Sequence, residues 1–226
     1  MRLFNDGLIY RDAYLINWCP RCSTALSDLE VEHEEEETHL WYVRYWSESG
    51  DRSLTVATTR PETILGDTAV AVNPEDERFQ DLVGMKVRIP FVDRLVPVIA
   101  DEAVDTEFGT GAVKITPAHD PVDYEVGQRH DLDFVNVMND DMTMNEAAGP
   151  YQWQDRFECR ANIAADLEKK GDLIKIEDLE PSVGHCQRCH TIVEPRISTQ
   201  WFVRMAPLVK PALEAVRKGR IEIVPE

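Results

Sequence analysis

Residues 109–124 read GTGAVKITPAHDPVDY, and this stretch combines a glycine-flanked turn, a short strand and the start of a helix. Apolar and polar residues alternate between residues 112 and 116, which is the period of a half-buried strand. Asp120 followed by Pro121 is typical of a helix start, because aspartate accepts backbone N–H bonds and proline fits the first helical position. The stretch therefore predicts a strand that leads directly into a helix.

Four polar side chains fall at this predicted strand-to-helix junction: Lys114, Thr116, Asp120 and Asp123. An ammonium group, a hydroxyl and two carboxylates in one place could form a polar binding pocket. The same spacing also suits two carboxylates that cap the helix and complement its dipole. Because caps are commoner than sites, spacing alone favours the cap, and the pocket stays open as the second interpretation.

Composition places the chain among ordinary globular proteins. It has 226 residues, of which 43% are hydrophobic and 29% charged, enough for one large domain or two small ones. It has no apolar run of eighteen residues and no apolar signal core at its start, so we expect a cytoplasmic protein without a membrane partner. The net charge of −18 argues against nucleic-acid binding over the whole surface, but not against local contact with a nucleic-acid end.

Four of the five cysteines form two Cys-x-x-Cys pairs, at Cys19 with Cys22 and at Cys186 with Cys189. Together they offer the four thiolates of a tetrahedral structural Zn²⁺ site. The alternatives are an unmetallated knuckle or a thioredoxin-like redox pair. The redox interpretation is the weakest, because no helical pattern follows the first pair. We expect Cys159 to be an inert buried thiol on a helix.

Many short strands interrupted by prolines, with a few capped helices, predict an α+β fold with a barrel-like, mostly antiparallel sheet. Strands are expected over residues 8–18, 40–46, 54–59, 67–72, 86–90, 95–100, 134–138 and 201–204. Helices are expected over residues 73–84, 155–171 and 207–218. In the second of these helices, the residues predicted to face the core are Phe157, Ala161, Ala164 and Leu167.

Residues 58–63 read TTRPET at the end of a predicted strand. The proline prevents further strand pairing, so three hydroxyls and a guanidinium gather at this strand end. Spacing alone favours a simpler interpretation, in which the threonines reflect strand propensity and Arg60 pairs with Glu62.

Three ordered motifs together resemble the editing domain, called connective peptide 1, of class I aminoacyl-tRNA synthetases: TTRPET at 58–63, GTGAVK at 109–114 and HDPVDYE at 119–125. The resemblance covers essentially the whole chain, including both cysteine pairs. The valyl branch is the most similar. Isoleucyl relatives carry TTRPWT and a glycine at the position of Asp120, and leucyl relatives carry TTRPDT and lack a lysine at the position of Lys114. The HIGH and KMSKS signatures of amino-acid activation are absent.

The resemblance implies a single editing domain, residues 1–226, of a larger synthetase. Its barrel-like core would span 39–179, and residues 1–38 with 180–226 would form a stem that carries the two knuckles. The implied reaction is hydrolysis of the 3′ ester of threonyl-tRNA(Val), without amino-acid activation and without a nucleotide cofactor. The implied partners are the acceptor end of tRNA(Val) and the rest of the synthetase chain, in a monomer. The alternatives are a zinc-stabilised tRNA-binding module without catalysis, or an editing domain of isoleucyl or leucyl specificity.

The resemblance also implies roles for ten residues. The catalytic residues would be Lys114, Asp120, Asp123, Thr59 and Arg60. The substrate-binding residues would be Thr58, Thr63, Asp67, Phe108 and Thr116. Asp123 would hold the substrate ammonium group, Asp120 the threonine hydroxyl or the water, and Arg60 the polar head or the terminal nucleotide. His119 is expected to be structural.

Overall fold

The computed structural model describes residues 1–224, a mixed chain of short strands and a few helices. The strands are β1 (Ile9–Cys19), β2 (Thr24–Leu26), β3 (Val31–Glu35), β4 (Thr38–Ser47), β5 (Ser53–Thr58), β6 (Ala69–Val72), β7 (Lys86–Arg88), β8 (Leu95–Ala100), β9 (Ala112–Ile115), β10 (Leu173–Leu179), β11 (Ser182–Cys186) and β12 (Glu194–Val203). The α-helices are α1 (Arg2–Asn5), α2 (Pro121–Arg129), α3 (Arg156–Lys170) and α4 (Ala206–Arg217). Short 3₁₀ turns lie at Asp28–Glu30, Pro61–Gly66, Gln80–Leu82 and Glu146–Tyr151.

The chain divides into two compact units, residues 15–197 and residues 1–14 with those from 198 onwards. In the smaller unit, Tyr10 stacks on Phe202 with 5.5 Å between ring centroids, and Leu8 O accepts a hydrogen bond from Arg204 N at 2.8 Å. None of the helices within residues 1–224 has the length and apolarity that crossing a membrane requires. The predicted division into a core over 39–179 and a stem over 1–38 with 180–226 stays a prediction. Residues 225 and 226 of that stem lie outside the described range.

The main sheet of the larger unit is barrel-like. Its strands follow the order β10-β4-β7-β8-β6-β9, and β5 pairs with β4. All of these pairs are antiparallel except β6 with β8. Across the remaining gap, Thr110 Oγ1 just before β9 donates to Thr55 O in β5 at 2.7 Å. Most strands of the sheet therefore have neighbours on both sides. The predicted α+β fold with a barrel-like, mostly antiparallel sheet is confirmed.

A large apolar cluster joins strands of the barrel to helix α3. Val43, Val56 and Val70 from three strands pack in one cluster with Ile163 and Leu167 of α3. Asp155 caps α3 by accepting a hydrogen bond from Phe157 N at 2.8 Å, and Gly171 ends it in the left-handed conformation. The predicted start and end of this helix are confirmed.

The buried face of α3 differs from the prediction. The buried residues are Arg156, Cys159, Ile163 and Leu167. Phe157 is 42% exposed and Ala161 is also exposed, so two of the four predicted core residues were wrong. Apolarity misled the prediction, because an arginine occupies the buried position that the phenylalanine was expected to fill. Cys159 is buried as predicted.

Two other predicted elements are absent from the described residues. Residues 134–138 form no strand, and only an isolated bridge joins Met138 to Met144. Residues 73–84 form no α-helix and hold only the turn Gln80–Leu82. The predicted hairpin of 40–46 with 54–59 and the predicted pair of 86–90 with 95–100 are confirmed by β4–β5 and β7–β8.

Candidate functional site

The strand-to-helix junction has the predicted local structure. Strand β9 ends at Ile115 and helix α2 begins at Pro121. Asp120 Oδ1 caps the helix, accepting hydrogen bonds from Val122 N at 2.8 Å and Asp123 N at 3.1 Å. Asp120 is thus a cap, and this capping fixes the direction of the first turn that carries Asp123.

Asp67 lies at the centre of a buried polar group beside this junction. Its Oδ1 accepts a hydrogen bond from Thr116 Oγ1 at 2.6 Å and lies 3.4 Å from Lys114 Nζ, and its Oδ2 accepts from Tyr45 Oη at 2.6 Å. Lys114 Nζ also contacts Thr116 Oγ1. Burial raises the pKa of Asp67 above its usual value, although Lys114 and the two hydroxyls partly offset this effect.

Asp123, in the first turn of α2, contacts the backbone at the end of β9. Its Oδ2 accepts a hydrogen bond from Thr116 N at 2.8 Å, and the residue is buried. Burial raises the pKa of Asp123 to about 7, with Asp120 and Asp67 adding to the rise and Lys114 opposing it. The protein's own positive groups therefore do not fully offset the cost of burying the charge of Asp123. A cationic ligand beside this carboxylate would stabilise its ionised form.

These four residues, Asp67, Lys114, Thr116 and Asp123, form what we call the lysine cluster. It contains one ammonium group, which pairs with Asp67, and two buried carboxylates. A buried carboxylate without its own cation is unfavourable unless it is protonated or meets a positive ligand. The cluster is therefore suited to receive an ammonium group from outside.

The end of strand β5 reaches the junction through Arg60. Arg60 Nη1 donates to His119 O at 2.8 Å, one residue before the helix cap. The hydroxyls of Thr58 and Thr63 hold the backbone of Arg60, the first accepting from its N at 3.0 Å and the second donating to its O at 2.9 Å. The two sequence motifs at 58–63 and 109–124 are thus brought together in space.

His119 is uncharged at neutral pH. The ring is buried, and its Nε2 lies 3.0 Å from Val137 N, which donates to it. Burial, together with the positive charges of Arg60 and Lys114, lowers the pKa of His119 to about 3. Since Nε2 already accepts a backbone hydrogen bond, this ring is poorly suited to take a proton from water.

A second buried charged group lies behind the strand end. We call it the arginine network, and its members are Arg60, Glu62, Arg156, Arg160 and Glu194. Arg160 forms a two-pronged ion pair with Glu62, with both N–O distances 2.8 Å. Burial would raise the pKa of Glu62, but the arginines outweigh it and lower that pKa.

A cavity of about 460 Å³ opens beside the arginine network. Thr59, Arg60 and Arg160 line it together with Phe157 and residues 182–184. Its size falls in the range of small-molecule pockets. Thr59 and Arg60 therefore face open space as well as the protein interior.

Phe108, unlike the buried residues of the predicted site, is 51% exposed and lies on the loop before β9. That loop turns at Gly109, which has a φ of +61° and lies so close to β5 that a Cβ there would be 2.7 Å from Ala57 Cβ. Both the conformation and the close approach require glycine at this position.

The two cysteine pairs meet in the larger unit. The Sγ atoms of Cys19, Cys22, Cys186 and Cys189 all lie within 4.8 Å of one another, and those of Cys19 and Cys189 are 3.5 Å apart. Four thiolates around tetrahedral Zn²⁺ at 2.3 Å would be about 3.8 Å apart, so this donor set fits the metal. His185, next to the second pair, is buried, with its Nε2 3.0 Å from Glu36 Oε1.

Four residues were not predicted from the sequence: Tyr45, which donates to Asp67 of the lysine cluster, and Arg156, Arg160 and Glu194 of the arginine network. Arg156 and Arg160 are four residues apart on α3, a spacing that places both on one helix face. This four-residue spacing of two arginines could have indicated a buried anion beside the helix. Nothing in the sequence around Glu194 or Tyr45 indicates its partner.

The family model of class I tRNA synthetases (I, L, M and V) matches residues 1–226 of the chain. Over its whole length the chain is 60% identical to a valine–tRNA ligase of Carboxydothermus hydrogenoformans and 54% identical to one of Thermotoga maritima. A valine–tRNA ligase of Geobacter sulfurreducens is 57% identical over 228 positions. The chain spans about a quarter (26%) of the length of each of these relatives.

A solved structure with a similar fold is LeuRS from Agrobacterium radiobacter K84, in a ternary complex with tRNA and LeuAMS. The TM-score is 0.50 at 18% sequence identity, over 86% of this chain and 35% of that one. At this identity, the similarity concerns the fold alone.

Proposed function

The chain belongs to the class I tRNA synthetases (I, L, M and V), and on that premise we propose that it is an editing domain that hydrolyses the 3′ ester of threonyl-tRNA(Val). The similarity to valine–tRNA ligases supports the choice of tRNA. The observation that carries the proposal is the lysine cluster, in which the buried carboxylate of Asp67 lies 3.4 Å from Lys114 Nζ and the buried carboxylate of Asp123 accepts a hydrogen bond from Thr116 N.

The lysine cluster suits the aminoacyl end of this substrate. An aminoacyl ester carries a free ammonium group, which Asp123 would bind and which would in turn favour ionised Asp123. The developing negative charge on the ester oxygen needs hydrogen-bond donors, and Lys114 and Arg60 would supply them. His119 is neutral and its Nε2 already accepts a hydrogen bond, so it would not activate the attacking water. Asp120 and the hydroxyls of residues 58–63 would position that water instead.

Discrimination would come from the threonine hydroxyl. Threonine and valine have nearly the same shape. An apolar pocket that fits valine is therefore known to reject threonine poorly. A polar second pocket reverses the preference, because valine would leave buried polar groups without partners at about 1–3 kcal/mol each. Thr116 and Asp120 are the candidates to contact that hydroxyl.

The nucleotide end would lie toward the cavity beside the arginine network. Thr59 and Arg60 line this cavity, and Arg60 also contacts the junction. An ester held between the lysine cluster and Arg60 would place its ribose near these two residues. The same arrangement makes tRNA, presented by the rest of the synthetase, the partner of this region.

The test is hydrolysis of threonyl-tRNA(Val) and valyl-tRNA(Val) by the chain and by Lys114→Ala and Asp123→Ala. We expect faster hydrolysis of the threonyl ester and at least about a hundredfold loss in each variant, since each removes a charge in contact with substrate. Lys175→Ala is the matched control, because Lys175 is an exposed lysine paired with Glu177. Undiminished rates in both site variants would overturn the site assignment.

Other outcomes would identify the alternatives. Binding of tRNA without hydrolysis of either ester would indicate a binding module. Preference for valyl-tRNA(Ile) or isoleucyl-tRNA(Leu) would indicate isoleucyl or leucyl specificity.

We also propose that the four clustered cysteines hold one structural Zn²⁺, which would supply cross-linking of two distant segments and no chemistry. Metal analysis should give one zinc per chain, and Co²⁺ should bind with thiolate charge-transfer absorption. Cys22→Ser and Cys186→Ser should weaken both signals. Cys159→Ser, buried on α3 outside the cluster, is the control and should leave them unchanged. Insulin reduction by the chain would instead support a dithiol.

A further inference from the structure

Glu194 is buried where an isolated charge would be strongly unfavourable. It is the first residue of β12 and is 2% exposed. Each of its carboxylate oxygens accepts from a different arginine: Oε1 from Arg156 Nη1 at 2.5 Å and Oε2 from Arg60 Nη2. Arg156 is held in turn by Ile192 O at 3.1 Å. The carboxylate therefore joins α3 to the end of β5.

Arg60 has few other means of fixing its guanidinium. Its Nε lies 3.5 Å from Glu62 Oε1, a longer contact than any that Glu62 makes with Arg160. Both oxygens of Glu62 already accept from Arg160 at 2.8 Å, so the longer contact with Arg60 is the weaker of the two pairings. Glu194 is thus the principal anion for Arg60.

The other prong of the same guanidinium reaches the candidate site. Arg60 Nη1 donates to His119 O at 2.8 Å, and the next residue, Asp120, caps helix α2. A continuous chain of contacts runs from Glu194 through Arg60 to the helix start. Displacing Glu194 would release the guanidinium from the strand-to-helix junction.

We propose that Glu194 is a positioning residue for the editing reaction, which fixes the guanidinium of Arg60 against the start of α2. The inference rests on the proposed function, in which Arg60 contacts the substrate. Although Glu194 also lines the cavity beside the arginine network, in this proposal it acts through Arg60. Removal of its negative charge should therefore lower the rate only while Arg60 is present.

A double-mutant cycle tests this on the 226-residue chain, with Glu194→Gln, Arg60→Ala and the double variant. We expect about a tenfold or greater loss of kcat for threonyl-tRNA hydrolysis in Glu194→Gln, and no further loss when it is added to Arg60→Ala. Glu194→Asp, which keeps the charge on a shorter side chain, should recover part of the rate. Losses that multiply in the double variant would overturn the proposal, because a general loss of structure acts whether or not Arg60 is present.

A second readout does not depend on activity. In ¹⁵N-labelled chain, the Nε–Hε signal of Arg60, assigned by its loss in Arg60→Lys, should shift and exchange faster with water in Glu194→Gln. Glu177→Gln, which removes a charge from an exposed pair, should leave it unchanged. An unchanged signal in Glu194→Gln would overturn the inference. A wild-type chain that fails to hydrolyse the ester would refute the proposed function, while this signal still decides whether Glu194 fixes Arg60. If Glu194→Gln fails to fold, Glu194→Asp takes its place in both measurements.

Discussion

The lysine cluster and the arginine network are both buried in the larger unit, yet burial has opposite outcomes for their carboxylates. In the lysine cluster the pKa values of Asp67 and Asp123 are raised, because burial outweighs the single ammonium group. In the arginine network the pKa of Glu62 is lowered, because two guanidinium groups outweigh burial. The first cluster is left able to take a cation, whereas the second is satisfied and holds the structure together.

The largest effect is expected when a carboxylate of the arginine network is removed. Glu62→Ala leaves the guanidinium groups of Arg160 and Arg60 without their shared partner in a buried place. We expect a loss of about 3–5 kcal/mol in the free energy of unfolding, measured by urea titration. The control is Asp93→Ala, which breaks an exposed pair with Arg88 and should change little. A loss for Glu62→Ala as small as that of the control would mean that the network is not a structural clamp.

In the lysine cluster, removing the charge of a carboxylate should instead raise the free energy of unfolding. Since the folded pKa of Asp123, about 7, lies above that of an unfolded aspartate, its ionisation costs stability as the pH rises toward and through 7. Asp123→Asn cannot ionise, so the variant should gain stability relative to wild type between pH 5 and pH 8, by about 2–3 kcal/mol. Urea titrations at both pH values measure this. Asp133→Asn, at an exposed position, is the control. A difference that does not change with pH would contradict the unpaired burial of Asp123.

A smaller effect sharpens the comparison at Asp67. Tyr45→Phe removes the hydroxyl that donates to Asp67 Oδ2 at 2.6 Å inside the barrel. We expect a loss of about 2 kcal/mol in the free energy of unfolding at neutral pH, because a buried hydrogen bond to a charged group is lost. Tyr42→Phe is the matched control, since its hydroxyl bonds Glu177 near the surface. Equal losses in the two variants would show that Asp67 has no special need of Tyr45.

Local sequence predicted those parts of the fold that depend on neighbouring residues. Asp120 and Pro121 start a helix because capping requires only the next three residues, and the hairpin of β4 and β5 forms around a short turn. Residues 134–138 carry the same kind of apolar signal but form no strand. Strand formation there would need a partner, and the neighbouring bridge at Met138 joins only Met144.

The candidate site divides in the same way. Residues 58–63 and 109–124, and the four cysteines, were found by motif and spacing, and the structure brings the members of each set together. The face of α3 was misjudged because polarity was taken as exposure. Arg156 is buried only because Glu194, 38 residues further along the chain, supplies its counter-charge.

The sequence by itself determined the kinds of groups available: carboxylates at a helix start, hydroxyls and a guanidinium at a strand end, and two pairs of thiols. Only the tertiary structure decided which carboxylates are satisfied. The physical reason is that the state of a buried charge depends on partners within a few ångströms, and these partners come from distant parts of the chain. Asp123 and Glu62 are both acidic residues near a helix or turn start, and their different surroundings alone separate a site for a cation from a structural clamp.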